Sequence, residues 1–357
     1  MLISILSFVI VALALLWLSA RLFLRGPSLT QYDAPVPPHT GKEGEPSAAH
    51  FAAVESMKTG FANPPKGSPS ESLAFIREQM DALGEDITFD GSITPVVING
   101  MTAEWVQGPN VNPKRRLLYI HGGGWTAGSP LSHRSVTTEY ATRLNMAVLA
   151  IDYRLIPEHP RLACVEDCQN AYRWIVENGP DGSSTAEQIV ISGDSAGGNL
   201  TLMLTSWLKG QDLKQPTAAV ALSPATDATY TSKTLRTNIA TDPMLGPLMG
   251  KIVKTIPNWF MLWGNVLRSK VKPTNPLLSP VHDDLKDLPP TLLQASTAEM
   301  LVGDSIRYFN KAKAQGSPVE LELWPHMMHV WQLFVRDLPE AVDAFDHIEA
   351  FVRRQVE

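Results

Sequence analysis

From residue 2 to residue 20 the chain carries no charged side chain, and its polar ones are Ser4, Ser7 and Ser19; Arg21 and Arg25 then close the run. No polar face recurs at helical spacing, so the stretch does not read as the amphipathic helix of a soluble core. About 20 apolar residues is the length that crosses a bilayer, and residues 1–25 are therefore predicted to be a single-pass membrane anchor. A cleaved signal peptide would place basic residues before a shorter apolar core, and Leu18-Ser19-Ala20 is a poor cleavage site. The two arginines lie on the side of the remaining chain, which by the positive-inside tendency favours a cytoplasmic body.

Past residue 90 the pattern becomes short β-type runs alternating with amphipathic helical ones. Residues 93–98 and 101–106 flank Asn99-Gly100, a strong hairpin signal. Residues 116–120, 147–153, 189–191, 218–222, 291–295 and 319–324 read as strands. Residues 132–144, 165–178, 199–207, 300–315 and 340–354 read as helices. Alternation of this kind predicts an α/β domain over 86–357, with a mostly parallel, doubly wound sheet that opens on an antiparallel hairpin. Two stretches stand outside it. Residues 26–67 are rich in Pro, Gly and small polar residues and read as a tether with a helical patch near 48–58, followed by a helix over 70–83 with Ser70 as candidate N-cap. Residues 226–290 are too long for a loop and carry Trp259, Phe260 and Trp263; they predict helices of a cap over the strand ends, joined by the segment before residue 85.

Composition changes this picture little. The 357 residues are 44% hydrophobic and 18% charged, with no repeat or low-complexity tract, which is the profile of a globular chain. A net charge of −6 offers no basic stripe, so nucleic acid is excluded as an expected partner. Cys164 and Cys168 lie four apart on a predicted helix, a spacing unsuited to a disulfide, and no further ligands of matching spacing suggest a metal.

The chemistry sits where the pattern turns sharpest. Gly193-Asp194-Ser195-Ala196-Gly197 joins a strand to a helix, the setting in which G-x-S-x-G is a nucleophile elbow. The flanking glycines are needed because a Cβ there would strike the strand or the helix. A serine nucleophile also needs donors for the oxyanion and a base. The amide of Ala196 supplies one donor; Gly122 and Gly123, in His121-Gly-Gly-Gly124 after an earlier strand, are the expected others, since glycine lets backbone approach a substrate closely. In this fold the order is serine, acid, histidine. His282 comes before the strand that should deliver the acid, and His347 lies on an amphipathic helix. His326 and His329 follow the strand 319–324, and His329 is the expected base. Glu299, in the loop after the strand 291–295, is the expected acid; Asp304, inside the next helix, is the alternative.

With these residues assembled, the chain resembles the hormone-sensitive lipase group of α/β-hydrolases, over roughly residues 90–335. His121-Gly-Gly-Gly-Trp125 is similar to the group's oxyanion motif and Gly193-Asp-Ser-Ala-Gly-Gly198 to its elbow; Asp152-Tyr-Arg-Leu-Ile-Pro-Glu158 resembles the segment that braces the site. Pro289-Pro290-Thr291, followed by Glu299 and Asp304, resembles the stretch carrying the acid, where the group more often has aspartate at the position of Glu299. His326 stands where a glycine is common, and Arg161-Leu-Ala163 replaces a Pro-rich run. The resemblance implies the α/β-hydrolase fold with a helical cap, a small-molecule ester as substrate and no cofactor. The expectation is thus a membrane-anchored serine carboxylesterase acting on short- to medium-chain acyl esters. A deacylase or amidase on small N-acyl substrates is the alternative, and a non-catalytic receptor on the same fold a weaker one.

Overall fold

A computed structural model describes residues 2–41, 44–62 and 64–356; Met1, Lys42, Glu43 and Asn63, which fall in the expected anchor and tether, and Glu357 lie outside the described residues. One sheet organises the body. Its strands are β1 (Ser92–Ile98), β2 (Met101–Gln107), β3 (Asn112–Ile120), β4 (Met146–Ile151), β5 (Gln188–Asp194), β6 (Ala218–Leu222), β7 (Thr291–Ser296) and β8 (Val319–Trp324). They lie in the order β1-β2-β4-β3-β5-β6-β7-β8. The first two joins, β1 to β2 and β2 to β4, are antiparallel, and the remaining five are parallel. Every residue of β4, β6 and β7 is buried, as befits parallel strands covered on both faces. Each large aliphatic side chain so placed contributes on the order of 1.5–3 kcal/mol.

The helices, in chain order, are α1 (Leu2–Ser19), α2 (Ala48–Gly60), α3 (Pro69–Asp81), α4 (Arg134–Leu144), α5 (Ala163–Glu177), α6 (Ala196–Leu208), α7 (Thr234–Thr237), α8 (Leu245–Thr255), α9 (Asn258–Ser269), α10 (Val302–Ala314) and α11 (Pro339–Val356). α5 and α6 cover one face of the sheet through Tyr172, Ile175, Leu200 and Leu204. α4 and α11 cover the other through Tyr140, Phe345 and Phe351. The periodicity thus placed every core element, with ends shifted by a few residues. The start of α3 is one such shift. Its N-cap is Ser68, not Ser70, because Ser68-Pro69-Ser70-Glu71 closes a capping box in which the Glu71 carboxylate accepts from the Ser68 amide.

The two outlying stretches are tied to the body more closely than a tether implies. Leu29 is buried beside Val281, Leu285 and Ile306. Asp33 pairs with the buried Arg307 at 2.7 Å, and Asn310 Nδ2 donates to the carbonyls of Tyr32 and Pro35. The amide of Thr40 donates to the Leu323 carbonyl on the edge strand β8. Residues 29–40 are therefore a strap. The insertion 226–290 carries the helices α7, α8 and α9, and its tryptophans pack on the N-terminal segment. Trp259 and Trp263 on α9 pack with Leu262 against Ala20 and Leu24, in a π-type turn (Ala20–Leu24) that continues α1. α8 instead buries Val253 near Met300 and Leu301, behind the loop that follows β7. Ser4–Leu24 is apolar and long enough to cross a membrane, and only 6% of it is buried by the rest of the chain.

Candidate active site

The site grows from the ends of β3, β5, β7 and β8. β5 runs into α6 through Ser195, whose φ of 51° lies in the region that side chains other than glycine avoid. A Cβ on Gly193 would stand 2.5 Å from the Ile120 carbonyl, so the turn closes only around glycine. The strained backbone is over-determined by its neighbours: the Ser195 amide donates to the Leu222 carbonyl at 2.7 Å, and its carbonyl accepts from Asn199 and Ala225. Positive φ also occurs at Trp125, at Ser223 and at His326 and Val330, on the three segments that follow β3, β6 and β8.

Ser195 Oγ lies 2.9 Å from His329 Nε2, and His329 Nδ1 lies 2.7 Å from a Glu299 carboxylate oxygen. The imidazole and the carboxylate are both buried. Burial alone would lower the His329 pKa, but the hydrogen bond and charge of Glu299 overcome it and hold the imidazole above its ordinary value. Glu299 itself is pushed up by burial, with the nearby Asp242 acting in the same sense. The other Glu299 oxygen accepts from the Ser296 amide at 3.2 Å.

Asp304 stands apart from this chain of atoms. One of its oxygens accepts from the amides of Thr226 and Asp227, both at 2.9 Å, and the other has no protein partner. Burial and the neighbouring Asp227 push its carboxyl up to about 8. His326 is exposed, and His347 pairs on the surface with Glu322. His282 is buried 3.4 Å from Asp227. None of these three faces Ser195 in the way His329 does.

The glycine loop requires a correction. Gly122 does not offer its amide to the site; that N–H donates to a buried Asp194 oxygen at 3.0 Å. Gly123 and Gly124 follow at φ of 104° and 62°, and Gly123 carries the loop round so that its carbonyl accepts from Thr126 and Ala127. Sequence reasoning passed over Asp194, although it stands inside the elbow motif. The same oxygen takes the Tyr119 hydroxyl at 2.7 Å and lies 3.3 Å from His133 Nε2. Burial would raise its pKa, but His133 and Tyr119 hold it below the ordinary carboxylate value. His121, stacked on Tyr153 at 4.2 Å, is driven down to about 3 by burial and by His133, and is neutral. Tyr153 belongs to the segment Asp152–Glu158 and donates to the His121 carbonyl, which is how that segment braces the loop.

Further support came from residues without a recognisable motif. Asn238 donates to the Thr297 and Glu299 carbonyls, and Asp242 accepts from the Met300 amide, so the cap insertion grips both sides of the acid loop. Arg161, in the run that departs from the Pro-rich pattern, is buried under the Trp125 ring at 4.1 Å and reaches Asn199 of α6. Cys164 and Cys168 are free and buried, with both thiols pushed up by burial. They are remote in chemistry from the serine. Among the described residues no group of three or more His, Cys, Asp or Glu is arranged to hold a metal ion.

The sheet order and a serine at the β5–α6 turn define an α/β-hydrolase. A family model described as "alpha/beta hydrolase fold" matches residues 117–333. An acetyl-hydrolase from Streptomyces hygroscopicus is 35% identical over 259 residues, 72% of this chain and 81% of that protein. An esterase from Acinetobacter venetianus is 33% identical over the same length and the same shares. The crystal structure of an esterase from the bacterial hormone-sensitive lipase family superposes with a TM-score of 0.75 at 31% identity, covering 88% of this chain and all of that one. The chain belongs to the α/β-hydrolase fold family. Within it, the chain stands with the hormone-sensitive lipase group and is a carboxylic ester hydrolase.

Proposed function

We propose that the protein is a membrane-anchored serine carboxylesterase for short- to medium-chain acyl esters, with Ser195, His329 and Glu299 as its catalytic triad. The observation that carries this reading is the unbroken line of hydrogen-bond distances, 2.9 Å and 2.7 Å, from Ser195 Oγ through the imidazole to the Glu299 carboxylate. His329 Nε2 takes the hydroxyl proton as Oγ attacks the ester carbonyl. The imidazolium that forms is stabilised by Glu299, which also fixes Nδ1–H as the second donor. The amides of Gly123 and Ala196 stabilise the tetrahedral oxyanion, with Gly122 holding the loop in place through Asp194. His329 then returns the proton to the leaving alcohol. Water, activated by the same imidazole, attacks the acyl-enzyme, and Ser195 is restored.

Two features support the finer parts of the reading. The preference for short acyl groups draws on the activity in the name of the acetyl-hydrolase relative. The anchor draws on the apolar stretch Ser4–Leu24, most of which the fold leaves exposed. The test uses the full chain on p-nitrophenyl esters from acetate to palmitate beside matched anilides. The expected result is a kcat/KM for acetate or butyrate at least tenfold above palmitate and far above either anilide. Equal or faster turnover of the anilides would make the protein an amidase instead. Carbonate washing of membranes tests the anchor, and release of the intact full chain would remove it.

A further inference from the structure

Away from the catalytic serine, the junction between α1 and the cap gathers positive charge. The segment 228–282 contains Lys233, Arg236, Lys251, Lys254, Arg268, Lys270 and Lys272, against one acidic residue, the buried Asp242. That is seven cations to one anion, in a chain whose net charge is −6. The apolar residues of the same segment are exposed in stripes. Leu248 and Ile252 lie one turn apart on α8, and Phe260 and Leu267 lie two turns apart on α9. α9 packs on the end of the first helix through Leu262, and Trp263 Nε1 donates to the Leu16 carbonyl at 3.1 Å. The apolar surface of the N-terminal helix, on which Trp17, Leu18 and Phe23 are exposed, therefore meets that of the cap.

At this seam lies a cavity of about 270 Å³, lined by Trp17, Arg21 and Arg25 on one side and by Tyr230, Arg236 and Trp259 on the other. Among the described residues no carboxylate lines it. Elsewhere the chain gives its arginines acidic partners: Arg77 meets Glu158, Arg134 meets Glu104, Arg154 meets Asp167 and Arg307 meets Asp33. Among the described residues, Arg21, Arg25 and Arg236 have no ion-pair partner, and the one ring contact among them is Arg21 over Trp17 at 5.5 Å. Three guanidinium forks beside two indoles, at the foot of an apolar helix, match a group that is doubly recognised: an anionic phosphate for the forks and acyl chains for the apolar stripes. Tryptophans at this height are the usual residents of a bilayer interface.

We infer that this cavity binds the phosphate of an anionic glycerophospholipid, with the exposed faces of α8 and α9 seated in the headgroup layer around it. The inference rests on the membrane reading of the first helix. The cap then lies on the bilayer as well as being linked to it, and the orientation of the body is set by two attachments rather than one.

The test is made on the full chain in nanodiscs of phosphatidylcholine alone or with phosphatidylglycerol, with lipid retention after transfer to detergent read by native mass spectrometry. Wild type should retain phosphatidylglycerol over phosphatidylcholine, and added salt should weaken the preference. Arg236→Gln should cut the preference about fivefold, and the triple Arg21→Gln/Arg25→Gln/Arg236→Gln should abolish it. Arg236→Lys, which keeps the charge but not the fork, should fall between. Turnover of a soluble acetate ester by these variants should stay near wild type, which shows that they fold. Unchanged selectivity in the triple variant overturns the site while leaving the anchor intact. Full competition by inorganic phosphate identifies a soluble phosphate as the ligand and overturns the lipid assignment. If carbonate releases the wild type from membranes, the anchor and the lipid site fall together.

Discussion

The region of the proposed triad and the seam between the first helix and the cap treat charge in opposite ways. Around Ser195 the buried carboxylates are met by directed donors: Glu299 by His329 and the Ser296 amide, Asp194 by Tyr119, the Gly122 amide and His133. At the seam, Arg21, Arg25 and Arg236 are exposed and face a cavity without a carboxylate. Charges of the first kind are held by geometry, and removing one partner leaves the other buried and unmatched. Charges of the second kind keep their solvation, so each can be changed at small cost to folding. The chemistry of the molecule should therefore be brittle in one region and adjustable in the other.

The sharpest break in that contrast comes at the nucleophile. Ser195→Ala should lower kcat by about 10⁶, as loss of a triad serine does, with the melting temperature held. A folded variant keeping a tenth of the activity would end the serine mechanism. Next in size is the orienting carboxylate. Glu299→Gln should lower kcat by about 10³–10⁴, and Glu299→Asp by less, because the charge survives one methylene further from the ring. Asp304→Asn, five residues on, should stay within about tenfold of wild type, since its partners are the Thr226 and Asp227 amides and not His329. Purified proteins compared by kcat and melting temperature decide between the two acids.

A smaller effect appears in the pH profile. As the proposed base, His329 must be neutral, and its pKa is raised by Glu299 against the opposing effect of burial. Activity should thus fall as pH drops through a value above 6.5, and the acid limb of kcat/KM should move down in Glu299→Gln. A limb that stays put in the variant would detach it from the pair. The smallest effect is on stability. Asp304, raised from 3.8 to about 8, keeps its proton in the folded protein while the unfolded chain loses it. Its contribution is complete below about pH 4 and is lost as pH rises to about 8, with a slope of at most about 1.4 kcal/mol per pH unit. Urea titrations across this range should show the slope in the wild type and a flatter line in Asp304→Asn.

What could be read from the sequence follows the reach of the interactions involved. β6 and β8 were predicted to the residue, because an apolar run in one and an apolar–glutamate alternation in the other stand between flanking prolines that leave little choice. Ser195, Glu299 and His329 could be chosen because strand ends and chain order are local facts, and the structure brings the three together. Gly122 went wrong for a reason that no local pattern carries: its amide is claimed by Asp194, 72 residues away. The aromatic residues of α9 predict a helix of the cap, but an apolar stripe does not name the partner it packs on. That partner is the turn after α1, more than 230 residues earlier. Asn238 and Asp242 were invisible for the same reason, as single polar residues in an insertion whose docking only three dimensions reveal.

Asp194 has one more consequence. The glycine loop ends β3 and the nucleophile ends β5, so the two halves of an acyl-transfer site ride on separate strands. A single carboxylate oxygen collects donors from β3, from the loop and from the residue before α4, all within 3.3 Å. That common acceptor makes the donor array one rigid body with the elbow. On the proposed mechanism, and in the language of solvents, the site arrives at the transition state already polarised: its dipoles need not turn as the oxyanion forms, and the reorganisation that water would undergo during the reaction has been completed in folding.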